Sequence, residues 1–92
     1  MLQVPVNTAE NLAELYYDIV RSSTDTTNCT QAQRAHTFFK SNGTFATREE
    51  YYRMKDTMFV PCAQFIKKIN TGLHNDIMHW LCMLDESIKR QR

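Results

Sequence analysis

The sequence predicts an all-α protein: one domain over residues 1–92, built as a small antiparallel bundle of about four helices. Three observations predict it. Only two Gly and two Pro occur in 92 residues, too few turn formers for a sandwich or barrel. Apolar residues recur at spacings of three and four, the period of one helix face. The apolar stretches open on residues that cap or start helices.

The first is Asn7, followed three residues on by Glu10, a capping box with Asn in the role usually filled by Ser or Thr. Leu12, Leu15, Tyr16 and Ile19 then share one face, so a helix is expected over 8–21. The polar stretch SSTDTTN reads as a loop.

Thr30, with Gln33 in the reciprocal position, is the expected cap of a second helix over 31–41. Its apolar side is Ala32, Ala35, Phe38 and Phe39. Asn42-Gly43 stops it, because both residues tolerate a left-handed backbone. Asn-Gly also signals a hairpin, but the flanking residues do not alternate, which favours the helix stop.

Thr47 and Glu50 form a third capping box, and Tyr51, Met54, Met58 and Cys62 carry the stripe of a helix over 48–59. Pro61 removes a helical hydrogen bond and crowds the preceding turn, so a kink or break is expected near Phe59–Val60.

The fourth helix, 62–89, carries Cys62, Phe65, Ile66, Ile69, Leu73, Ile77, Trp80, Leu84 and Ile88 in one phase. That phase runs through Gly72 and favours continuity, whereas Asn70-Thr71-Gly72 is a plausible helix end. A straight helix from 61 to 89 would be about 44 Å long, against about 31 Å for a compact chain of this size. Either the helix bends near Gly72 and is central, or it is straight and shared with a second copy. Within 77–84, seven of eight residues are apolar, with His79 the exception, more than an outer helix needs.

Composition narrows function. The hydrophobic fraction is 42%, the charged fraction 23% and the net charge +1, with no strong electrostatic pull toward nucleic acid or membrane. The N-terminal stretch lacks a basic and apolar leader, and no apolar run reaches the ~18 residues of a membrane span. A cytoplasmic protein with reduced Cys29, Cys62 and Cys82 is expected. The sequons at Asn28 and Asn42 read as chance in a Thr-rich chain.

Catalytic and metal chemistry find little support. His79 and Cys82 can share a helix face, with His74, Cys62 and Cys29 as further donors, but no tight ligand pair on a turn exists. Cys62, beside Pro61 at an expected helix start, is the best candidate nucleophile, since helix N-termini lower thiol pKa. The pairs Glu49-Glu50 and Asp85-Glu86 point to different helix faces, and no glycine-rich phosphate loop is present. No catalytic residue, metal or cofactor is expected.

Protein binding remains. Each of the pairs Tyr16-Tyr17 and Tyr51-Tyr52 can place one ring inward and one outward. The expected partner-binding residues are Tyr17, Tyr52, Phe59, Met78, Leu81 and Cys82. The leading expectation is a non-enzymatic protein-binding regulator, such as an adaptor, inhibitor or immunity-type factor, that contacts a protein partner and self-associates. The alternative is a helical DNA-binding regulator reading with residues 48–59, where Arg48, Arg53 and Lys55 compete with Glu49, Glu50 and Asp56. A small-ligand or metal-binding bundle is third.

Overall fold

The computed structural model describes residues 1–22, 26–41 and 43–91. The chain runs β1 (Leu2–Gln3), α1 (Val6–Ser22), α2 (Thr26–Lys40), β2 (Thr44–Phe45) and α3 (Arg48–Met54). A π-helical turn (Lys55–Phe59) then leads into α4 (Val60–Lys67), and α5 (Thr71–Arg90) closes the fold. Because α3, the π turn and α4 form one uninterrupted rod, four helical rods make up the bundle. The body measures 38 × 21 × 20 Å, with a radius of gyration of 12.2 Å.

Helix α1 starts at Val6, not behind Asn7. The Ala9 amide donates to the Pro5 carbonyl at 2.9 Å, so the first helical bond already spans Asn7. Asn7 instead accepts from the Asn11 side-chain Nδ2, through its backbone carbonyl at 2.8 Å and its side-chain oxygen at 3.2 Å. The chain enters the helix from β1, whose Leu2 and Gln3 pair with Phe45 and Thr44. That pairing of segments over forty residues apart fixes the helix start, and no local pattern announces it.

Helix α2 begins at Thr26, one turn earlier than a Thr30 cap requires. Thr and Asn have modest helix propensity, so this turn reads as loop in sequence. Docking on α1 offsets that: the Cys29 thiol lies 3.8 Å from the Val20 carbonyl. The helix ends at Lys40, and the Gly43 amide donates to the Phe38 carbonyl at 2.9 Å. Asn42 lies outside the described residues. Gly43 does not use a left-handed backbone; it is there for space, because a Cβ would collide with the Phe38 ring.

Thr47 caps α3 as expected, its hydroxyl accepting from the Glu50 amide at 3.1 Å. Pro61 does not break the rod. The π turn precedes it, with the Val60 amide reaching back to the Lys55 carbonyl. Wider turns of this kind absorb local strain inside helices, and the chain passes Pro61 without stopping.

The long C-terminal segment is broken, at Lys68–Asn70. The Ile69 and Asn70 amides share the Ile66 carbonyl, closing α4. Asn70 then caps α5, its side chain accepting from the Leu73 amide at 3.1 Å. Gly72 sits just inside the new helix and is not the hinge. Helix α5 lies along the outside, burying Leu73, His74, Ile77, Leu81, Leu84 and Ile88.

The core is aromatic at its centre. Phe59 is fully buried, its ring within 6.4 Å, centroid to centroid, of Tyr16, Phe38, Phe39 and Phe45. The Tyr16 hydroxyl donates to the Phe59 carbonyl at 2.8 Å. His74, also buried, bonds the Ala63 carbonyl through Nδ1 at 2.8 Å and ties α5 to α4.

Candidate functional site

Phe59 and Leu81 are not surface residues. They are 0% and 2% exposed, so both are packing residues and leave the expected partner-binding set. The π turn re-aims the residues around Phe59, whereas Leu81 lies one turn from Ile77 on the buried face of α5.

The remaining four fall on two surfaces. Tyr52 and Cys82 are exposed and Met78 is half-buried along the seam between the α3–α4 rod and α5. Lys55, Val60, Met78, Leu81, Cys82 and Asp85 line a small groove of about 210 Å³ there. Its polar end is already satisfied, since Asp85 takes bonds from Tyr51, Lys55 and Lys89. Tyr17 lies elsewhere, on α1 facing α2.

A cleft of about 580 Å³ runs between α1 and α2. Val6, Glu10, Ala13, Glu14 and Tyr17 recur along α1 at three- and four-residue steps and form one wall. His36, Phe39 and Lys40 line the other. The pairing follows from α2 turning back along α1, with Ala13 opposite His36. His36 Nδ1 meets the Ala13 carbonyl at 2.7 Å. A carbonyl only accepts, so Nδ1 carries a proton and donates this bond.

Tyr17 is 43% exposed yet held on two sides. Its ring centroid lies 5.0 Å from that of His36, and the Arg21 guanidinium carbon sits 5.9 Å from it. Glu10 and Glu14 enter none of the ion pairs formed among the described residues. Sequence reasoning found Tyr17 by its phase but missed Glu10, Glu14, His36 and Lys40 as its companions. Glu10 reads in sequence as a capping-box residue, and nothing marks Glu14, His36 and Lys40 until α2 is laid against α1.

Cys62 does not have the reactive environment of a helix start. It lies mid-rod, 1% exposed, and burial pushes its thiol up to about 11. Among the described residues no three His, Cys, Asp or Glu side chains gather as metal ligands. Two of the three cations offered for DNA are bound internally. Arg48 donates to the Ile88 and Lys89 carbonyls at 3.4 and 3.3 Å and to that of Gln91. Lys55 pairs with Asp85 at 3.2 Å.

No helix among the described residues is long and apolar enough to cross a membrane. No family model, curated protein or solved structure matches the chain.

Proposed function

We propose that this protein acts by binding another protein and catalyses no reaction of its own, with the α1–α2 cleft as its docking surface. The observation that carries this reading is Tyr17, an exposed ring already fixed between His36 and Arg21. A pre-ordered aromatic loses little freedom when a partner covers it, and Tyr is enriched among residues that anchor interfaces. Both walls are helices, so the cleft is linear and suits an elongated segment. Glu10 and Glu14 form no ion pair among the described residues, although Lys40 lines the facing wall, and their two carboxylates favour Lys or Arg on that segment.

The buried, raised thiol of Cys62 supports a non-catalytic reading, because at neutral pH it stays protonated and poorly nucleophilic. The internal use of Arg48 and Lys55 weighs against DNA, since phosphates would have to displace bonds the fold already makes.

The test is affinity capture from the native host, comparing the natural chain with Tyr17→Ala and Glu14→Lys, followed by mass spectrometry. A protein retained by the natural chain and lost by both variants supports the reading. Retention that is indifferent to both substitutions refutes it.

A further inference from the structure

The apolar surplus of α5 splits between two flanks, and one flank has a self-complementary layout. Asp76, Trp80, Met83, Ser87 and Arg90 step along α5 by four, three, four and three residues, the spacing of a helix-pairing seam. All five lie off the buried face: Asp76, Met83 and Arg90 are exposed, Trp80 and Ser87 half-buried. Met83 is 44% exposed, a large apolar side chain left partly open to solvent. Beside it, Pro5, Asn7, Thr8, Trp80, Met83 and Arg90 help line a cleft of about 340 Å³.

Charge on this seam is ordered. Asp76 and Arg90 lie seven residues either side of Met83, about 10 Å in each direction along the helix. Neither enters an ion pair formed among the described residues. Laid antiparallel against itself about a two-fold axis at Met83, the seam puts Asp76 of each copy against Arg90 of the other. A parallel arrangement would set Asp76 against Asp76 and Arg90 against Arg90, which like-charge repulsion disfavours. The antiparallel arrangement also brings each Trp80 beside Ser87 and Glu86 of the second copy, over the cleft edge.

We propose that two copies of this chain pair through the outer seam of α5, antiparallel, with Met83 on the axis and two Asp76–Arg90 ion pairs at the ends. Such a contact is isologous: one patch serves both copies, and each residue pair occurs twice. It leaves the α1–α2 cleft open and does not depend on what that cleft binds.

The test is sedimentation equilibrium of the full chain over a wide concentration range at low salt. The natural chain associates to a dimer. Asp76→Arg and Arg90→Asp each weaken association by about tenfold or more, because either reversal turns two attractions into two repulsions. The double variant, with the charges exchanged, restores it. Tyr17→Ala leaves the dimer unchanged, so failure of the cleft reading is distinguishable from failure of this one. All these positions are exposed, and circular dichroism checks that the variants fold. A monomer at every concentration, a dimer indifferent to the single reversals, or no recovery in the double variant overturns the proposal.

Discussion

The Tyr51 hydroxyl donates to Asp85 Oδ1 at 2.9 Å, and that carboxylate also holds Lys55 at 3.2 Å and Lys89 at 3.0 Å. Three donors from two rods therefore meet on one acid. Burial pushes the Asp85 carboxyl up, but the bonds from Lys89, Tyr51 and Lys55 outweigh it and hold the carboxyl below its ordinary value of 3.8. A depressed carboxyl stabilises the fold above its unfolded-state value and loses that contribution as pH falls. Urea denaturation across a pH series is expected to show falling stability below about pH 4. Asp85→Asn should flatten that fall and lower stability at neutral pH by about 1–2 kcal/mol. An unchanged acid slope would assign the effect to another group.

The opposite sign holds for Cys62. Burial raises its thiol from 9.0 to about 11, so its contribution is complete below pH 9 and is lost as pH rises toward 11. Tyr16 acts in the same direction at higher pH: burial first, then the charges of Cys62 and Tyr51, push its phenol well above the usual value. Alkaline denaturation followed by circular dichroism is expected to begin in this range. Cys62→Ala should weaken the pH dependence between 9 and 11 while lowering the neutral-pH baseline by removing packed volume.

Phe59 and Trp80 should differ sharply when truncated. Phe59 is fully enclosed by other rings, and Phe59→Ala is expected to lower stability by about 3–5 kcal/mol, a large share of what so small a fold has. Trp80 is only half-buried, so Trp80→Ala should remove about 2 kcal/mol or less. Chemical denaturation of the two variants checks the ranking, and a reversed order would place the core elsewhere.

Arg48 holds the end of α5 by its last carbonyls, where a cation also suits the helix dipole. The same end is tied to the N-terminal strand. Gln91 accepts from the Gln3 amide and donates to the Gln3 carbonyl, both at 2.7 Å. Arg48→Ala is expected to speed amide exchange over the last turn of α5 and at Gln3, with about 1 kcal/mol lost globally. Exchange that rises throughout the protein would mean instead that the clamp supports the entire core.

Much of the bundle was legible in the sequence. Most of the stripes ending at Ile19, Phe39 and Ile88 is buried where the helical period puts it, and Thr47 caps as its spacing with Glu50 suggests. Leu15, Phe38, Phe65 and Trp80 are half-buried, however, and Ile69 is exposed because the chain breaks between α4 and α5. What was not legible depended on partners far along the chain. The start of α1 is set by Leu2 pairing with Phe45, and the earlier start of α2 by contact with Val20. The surplus around 77–84 was visible, but not its division between a Met78–Cys82 flank and a Trp80–Met83 flank. That division depends on which neighbours stand on either side of α5. The candidate cleft was half legible: Tyr17 by phase, and its companions only once α2 lay against α1.

The π turn before Pro61 has a consequence for chain length. Its carbonyl-to-amide step is one residue longer than an α-helix uses, so the rod carries one residue more than its rise requires. Tyr51 upstream and Cys62, Ala63 and Ile66 downstream nevertheless all face the core. Asp56 and Thr57, within the turn, are exposed. Deleting either one would keep the downstream side chains facing inward but would close the wider turn, setting the Pro61 ring against the carbonyl one turn before it. The extra residue thus serves as clearance for Pro61 while the two halves of the rod stay in step.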